Sequence, residues 1–266
     1  MATDQNHYAG LVHAHSTYSF DGHLSYPELK EFFLTKGLSF ASMTEHIEYL
    51  DQGQIDGIIA DCRKYSDKDF VFIPGIEMDC FFIYLLGVDS VTVDFTDNHS
   101  IFRSLHEKAK LCIFSHPIKA KYHYPPWLID ICDGVEVLNT KHDGQHYLRP
   151  QSERLYRKIK QARPDAIAVA GMDFHSKKNY SNVRIRLTEK GPLTEDFILR
   201  CLSNKHFTLV KNDTPFTDFS FIQRNAARAR IYAMDFAHNV HKKMAESGVT
   251  VPKGLKKFMR QIMEGY

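Results

Sequence analysis

Two hydrophobic patterns alternate along this chain. Short, nearly continuous apolar runs occupy residues 8–15, 38–43, 70–78, 81–88, 111–115, 134–138, 166–171 and 207–211. Between several of them, at 27–35, 55–64, 100–109, 125–131, 152–161 and 195–202, apolar positions recur every three or four residues. An unbroken apolar run is expected of a strand covered on both faces, and the wider spacing of an amphipathic helix. Strands alternating with helices predict a parallel α/β sheet, closed as a barrel or open and doubly wound. Past about residue 215 the pattern changes. Residues 221–247 read as one long helix, with Ile222, Ala226, Ala229, Tyr232, Ala233, Phe236 and Val240 at helical spacing. Gly248 ends it, and Pro252 opens a short second helix with Leu255, Phe258, Met259 and Ile262 on its apolar side. The expected division is an α/β unit over 1–215 and C-terminal helices over 216–266. Those helices pack on the unit or supply a homo-oligomeric contact.

The polar residues that interrupt this pattern fall at the ends of the predicted strands. His13 and His15 are two apart at the end of the first run, so both side chains leave on one face. Asp21 follows in the next loop. Glu45 and His46 stand after the second run, Glu77 ends the third, and His116 ends the run at 111–115. Asp173 and His175, again two apart, follow the run at 166–171. In a parallel α/β fold the carboxyl ends of the strands are one place, the mouth where active sites are built. Carboxylates crowded together repel unless a cation stands among them, and imidazole nitrogen with carboxylate oxygen is the ligand set of zinc, manganese or iron. The residues thus predict a metal centre.

Composition narrows the classes. A chain with 43% hydrophobic and 25% charged residues is neither disordered, collagen-like nor a coiled coil. Thirty-four Lys and Arg against 32 Asp and Glu leave a charge of +2, too balanced for a nucleic-acid coat. The five cysteines are odd in number and never in CxxC spacing, which argues against a disulfide framework and for a reducing compartment. No run approaches the ~18 apolar residues of a membrane helix, and the first residues carry no apolar signal core. The expected location is the cytoplasm, with neither membrane nor nucleic acid as partner. Fifteen histidines in 266 residues is the unusual count, and the strand ends account for many of them.

The set His13-x-His15 with Asp21, Thr44-Glu45-His46, Gly75-Ile76-Glu77, Ser115-His116-Pro117 and Gly171-x-Asp173-x-His175 resembles the polymerase and histidinol phosphatase (PHP) superfamily of metal-dependent phosphoesterases. The five motifs stand in family order over residues 11–175. The resemblance implies an α/β fold, a distorted (β/α)7 TIM-like barrel with the C-terminal helices as an extension, and two or three divalent ions at its mouth. It implies that His13, His15, Glu77 and Asp173 hold one ion and Asp21, His46 and His175 another. Glu77 would bridge to a further ion held by His116. Trinuclear members usually have one more histidine where this chain has Tyr84, so that site needs another donor or stays a ligand short. Thr44-Glu45-His46 and Ser19-Phe20-Asp21-Gly22 look most like the histidinol-phosphatase branch.

The activity this implies is hydrolysis of a phosphate ester by a metal-activated water that attacks phosphorus. The substrate would be a small phosphorylated metabolite, histidinol phosphate among the candidates. Three carboxylates against two divalent ions and a hydroxide leave the centre neutral, so basic side chains should help to hold the phosphate. Lys119, Lys141, Lys177 and Arg184 are the candidates, with His142 or His146 to contact substrate or protonate the leaving group. Two other classes compete with this reading. One is a metal-binding regulatory module without catalysis, disfavoured by the intact ligand set. The other is a TIM-barrel metal hydrolase acting on C–N bonds, which usually relies on a modified lysine where Glu77 stands here.

Overall fold

The computed structural model of the chain describes residues 8–143 and 148–216, with scattered positions between 229 and 254. The first apolar run forms β1 (Ala9–Ala14), and every residue of it is buried. There follow α1 (Tyr26–Thr35), β2 (Phe40–Met43), β3 (Glu45–His46), α2 (Gln52–Tyr65), β4 (Val71–Ile73), β5 (Gly75–Met78), β6 (Ile83–Leu86) and α3 (Asn98–His106). The chain continues through β7 (Leu111–Phe114), α4 (Pro126–Ile131), β8 (Gly134–Asn139), α5 (Pro150–Ala162), β9 (Ile167–Gly171), β10 (Val183–Leu187), α6 (Glu195–Ser203), β11 (Phe207–Lys211) and β12 (Thr214–Pro215). Local chemistry sets the helix starts. At α2, the Gln54 N–H donates to Asp51 Oδ1 at 2.8 Å and the Asp51 N–H to Gln54 Oε1 at 2.9 Å, a reciprocal cap that contributes about 1 kcal/mol.

The strands form two six-stranded mixed sheets, ordered β12-β11-β10-β1-β2-β4 and β3-β5-β6-β7-β8-β9. The pairs β1–β2, β2–β4, β3–β5, β7–β8 and β8–β9 are parallel. The all-parallel sheet expected from the sequence is corrected at three strands, β6, β10 and the two-residue β12, which pairs antiparallel with β11. β6 runs antiparallel to both β5 and β7, because the turn at 79–82 is far shorter than the dozen or so residues a parallel crossover needs. β10 runs antiparallel to β1 and β11 and has no continuous apolar run. Its Val183, Ile185 and Leu187 are buried while Arg184 and Arg186 are half-buried, so it faces the core on one side only. The run at 70–78 is likewise two strands, divided at Pro74, and its halves lie in different sheets. Proline has no N–H to give a ladder.

The sheets meet where β1 ends. The His15 N–H donates to the Phe174 carbonyl at 2.8 Å, the Phe174 N–H to His13 at 3.1 Å, and the Thr44 N–H to Ala14 at 2.8 Å. An outer apolar layer joins the sheets to α1–α5 through residues such as Leu29, Phe33, Ile58, Phe102, Leu128 and Ile159. An inner cluster takes Val12, Phe40 and Ile185 from one sheet and Tyr84, Ile113 and Val169 from the other. Phe197, Ile198 and Leu202 of α6 pack against it. The C-terminal helices expected over 221–247 and from Pro252 onward fall mostly outside the described residues. One described position there, Asp235, pairs with Arg149 at 2.8 Å. No helix among the described residues is long and apolar enough to cross a membrane.

Candidate metal centre

Strand direction gathers the polar residues. The hydrogen bonds between His13, His15 and Phe174 lay the end of β1 beside the exit of β9, bringing Asp173 and His175 against the two histidines. β3 pairs with β5 so that His46 stands opposite Glu77. Glu77 is fully buried at the middle. Its Oε2 lies 3.3 Å from His13 Nε2, 3.5 Å from His15 Nε2 and 3.4 Å from His46 Nδ1, and its Oε1 is 2.8 Å from His116 Nε2. Asp173 is the second hub. Its Oδ1 is 3.2 Å from His15 Nε2 and 3.3 Å from His175 Nδ1, and its Oδ2 is 2.8 Å from His142 Nε2 and 3.1 Å from Lys141 Nζ. Asp21 closes the outer side at 2.9 Å from His175 Nε2 and 3.6 Å from His46 Nε2.

Four groups of donor atoms, each within 4.8 Å of one another, result: His13, His15, Glu77 and Asp173; His15, His46 and His175; His116, His142 and Asp173; and His46, Glu77 and Asp79. The residues fit divalent ions. The donors are imidazole nitrogen and carboxylate oxygen without thiolate, the set that suits zinc, manganese or iron. His15 Nε2, His46 Nδ1 and Asp173 Oδ1 are buried with no well-aligned hydrogen-bond partner among the described residues. Each such atom costs about 1–3 kcal/mol, which a cation would offset.

The charges are mutually dependent. Burial alone would raise Glu77 and Asp173, but His13 and its neighbours outweigh it and hold both carboxyls well below the ordinary carboxylate range. Burial also opposes charge on His13, yet Glu77, Glu136 and Asp173 hold it well above its ordinary 6.5. For His15 burial wins and pushes it down to about 3, and burial lowers His142 and His175 as well. The centre therefore sets carboxylates held charged beside imidazoles that burial keeps neutral at His15, His142 and His175, the protonation states that metal ligands need. His13 departs from them, and a cation taking the place of its proton would relieve it.

Three acids for which the sequence implied no ligand role also enter: Glu45, which stands in one of the motifs, and Asp79 and Glu136, which do not. Asp79 Oδ2 is 3.3 Å from His46 Nδ1. Glu45 is fully buried and accepts the Ser16 N–H at 2.9 Å and the Ser19 hydroxyl at 2.5 Å. With its proton given to Glu45, Ser19 Oγ accepts from His46 N–H at 3.2 Å and from His15 Nδ1 at 3.2 Å. That network assigns the His15 proton to Nδ1 and leaves Nε2 facing Glu77 and Asp173. Glu136 touches His13 Nδ1 at 3.2 Å. An acid flanked by valines in an otherwise apolar strand is the sequence signal that could have found it.

Tyr84 is fully buried, directly across from Glu77, with its ring centroid 4.9 Å from that of His13. Burial, with Glu136 and Glu77 adding, holds its hydroxyl well above its ordinary value, so it stays a neutral phenol packed under the centre. The imidazole beside His116 comes instead from His142, at 4.8 Å between ring centroids. Lys141 reaches the cluster, and Lys119 is exposed just beyond His116. Two of the candidate basic residues stand elsewhere. Lys177 lies over the Phe32 ring at 5.6 Å. Arg184 points from β10 to Asp213 at 3.2 Å and to the Lys36 carbonyl, because β10 turns its polar face away from the core. His146 lies outside the described residues. At the rim, Phe20 and Tyr49 are 67% and 60% exposed, their ring centroids 4.6 Å apart.

Fold and site define a mixed α/β protein with buried His, Asp and Glu clusters arranged to bind metal. The sequence matches no protein-family model and no curated protein. Among solved structures, PsfC from Pseudomonas syringae PB-5123 is similar in fold over 79% of this chain and 93% of that one, at 14% identity and a TM-score of 0.55. An amidohydrolase from Chromobacterium violaceum, holding sulfate and no metal, aligns over 76% of this chain and 97% of that one at 13% identity and a TM-score of 0.40.

Proposed function

We propose that the protein is a metal-dependent phosphoesterase of the PHP type, hydrolysing a small phosphorylated metabolite at a centre of two or three divalent ions. The observation that carries this is the meeting of His13, His15, Glu77 and Asp173, from three strand ends, within 4.8 Å. The two sheets around one inner cluster are read as the distorted barrel of that family. His13, His15, Glu77 and Asp173 would hold one ion, Asp21, His46 and His175 a second, and His116 with Glu77 on one side and His142 and Asp173 on the other a third. The chemistry bound ions supply here is activation of an attacking water and screening of charge on the phosphate. Lys141, 30% exposed and held at 3.1 Å from Asp173, is within reach of a phosphate oxygen from the solvent side. The exposed rings of Phe20 and Tyr49 offer the organic half of the substrate an apolar surface.

Elemental analysis, followed by a panel of phosphomonoesters with zinc, manganese and iron, tests the reading. Metal should be present or bind on addition, and His13→Ala and Asp173→Ala should each lower turnover by orders of magnitude with loss of metal. Full phosphatase activity after exhaustive chelation refutes it.

A further inference from the structure

Glu136 is fully buried in the middle of β8, between Val135 and Val137. A buried carboxylate of this kind persists only if its oxygens are satisfied. Its Oε1 lies 3.2 Å from His13 Nδ1. Its Oε2 accepts the His116 backbone N–H at 2.8 Å and the Asn139 side-chain amide at 2.9 Å. A register shift in the β8–β9 ladder between Glu136 and Leu138 lets Glu136 and Asn139, three apart, turn to one side. In a regular strand they would face opposite ways. Gly171 on β9 leaves the room, since a Cβ there would stand 1.9 Å from Glu136 Oε1.

We propose that Glu136 is the positioning carboxylate of the centre: it fixes the His13 ring with Nδ1 protonated and the Nε2 lone pair turned to Glu77 and Asp173, while its other oxygen pins the strand exit that carries His116. This rests on the metal-centre reading above. His13 Nε2 is 3.3 Å from Glu77 Oε2 and 3.5 Å from Asp173 Oδ1, so the ring offers a ligand there only if its proton sits on the far nitrogen. A carboxylate holding that far proton both chooses the tautomer and strengthens the donor. Glutamine cannot do this. It has one acceptor oxygen, and with that oxygen on His116 N–H and Asn139 its NH2 faces His13 Nδ1. The histidine must then accept at Nδ1 and carry its proton on Nε2, where an ion would bind.

The test uses the full chain, zinc as the probe, competition with a chromophoric chelator and imidazole 15N spectra, with the His13 signals assigned by their loss in His13→Asn. In the zinc-loaded wild type, His13 should be protonated at Nδ1. Glu136→Gln should lose that signal and bind zinc about 10–100-fold more weakly. Glu136→Asp, which keeps the charge but withdraws it, should fall between. Glu136→Gln with wild-type zinc affinity, or a wild-type His13 protonated at Nε2, overturns the proposal, and the second result needs no variant to fold. A wild type that binds no zinc overturns the metal reading and this role together.

Discussion

Gly171→Ala probes the tightest point beneath the centre. A Cβ at residue 171 would lie 1.9 Å from Glu136 Oε1 and 2.9 Å from His13 Cβ, well inside the ~3.5 Å of an ordinary contact. His13 Cβ is fixed to β1 and cannot withdraw, so the Glu136 carboxylate must move. It is tied at 2.8 Å to His116 N–H and at 2.9 Å to Asn139, which leaves the bond to His13 as the one to break. Overpacking costs about 1–3 kcal/mol and the lost charged hydrogen bond about 1.5–3 kcal/mol. Since the two overlap, about 3–5 kcal/mol is expected. At roughly 2–4 °C per kcal/mol for a chain of this size, thermal unfolding should move down by about 6–20 °C. Gly53→Ala is the control, because a Cβ there meets only Asp51 Oδ1 at an ordinary 3.4 Å, and in a helix alanine should be neutral or stabilising by up to ~1 kcal/mol. Calorimetry of both variants in chelator, then with zinc, measures the difference. A Gly171→Ala variant that unfolds with the control and binds zinc equally well would show that Glu136 is not held as described.

In chelator, acid should destabilise the protein. His15, His142 and His175 are pushed down by burial, so below their ordinary value the unfolded chain takes up protons that the fold refuses. Glu77 and Asp173, held down mainly by His13 against burial, add their loss as pH falls below the ordinary carboxylate range. The raised His13 works the other way, its contribution present in acid and lost as pH rises through its folded value, and so do Glu45, Glu48, Asp143 and Glu195, whose carboxyls burial raises. The net loss therefore falls in the lower range, where the lowered carboxylates add to the histidines, and urea midpoints that climb as pH falls below about 4 would contradict this. Tyr84→Phe should leave metal content unchanged and stability within about 1 kcal/mol, since the hydroxyl has no hydrogen-bond partner among the described residues. His142→Ala should cost one equivalent of metal; elemental analysis reads both, and the reverse pattern would make Tyr84 the ligand. Arg149 is buried between Asp143 at 2.9 Å and Asp235 at 2.8 Å. Arg149→Ala should cost about 3–5 kcal/mol by stranding Asp143, less below about pH 6, where burial leaves that carboxyl protonated. A loss that does not change with pH in urea unfolding would exclude that cause.

The strands whose both faces are covered were legible because burial on two sides demands an unbroken apolar run, and a polar residue ending such a run has a function to explain it. His13, Glu77 and Asp173 announce themselves in that way. β10 did not, because a strand with one polar face alternates, and Val183-Arg184-Ile185-Arg186-Leu187 offers no run. The antiparallel turn into β6 was hidden by another cause. Direction is set by the length of the connection, and the apolar pattern of 70–88 is the same whichever way its strands run. Glu136 escaped because attention to strand ends passes over an acid inside a strand. The relation of Tyr84 to His142 could not be read at all, since the residues are 58 apart and only the fold shows which imidazole stands beside His116.

Backbone strain marks the same place as the donors. Phe82, His116 and Asp173 have φ of 51°, 24° and 47°, in the left-handed region that costs non-glycine residues of order 1–3 kcal/mol each. All three sit where a strand of the second sheet begins or ends, around the cluster. The surrounding bonds hold them there: the Ser115 N–H donates to the Phe82 carbonyl at 2.9 Å, His116 N–H to Glu136 at 2.8 Å, and the residue after Asp173 is bonded on both sides to β1. Through this left-handed turn Asp173 and His175, two apart, stay on one hub, their side chains 3.3 Å apart. The fold thus gives up part of its stability to hold two of the candidate ligands, His116 and Asp173, in place, so the carboxylate that anchors the first of them, Glu136, should matter as much as the donors proposed to hold an ion.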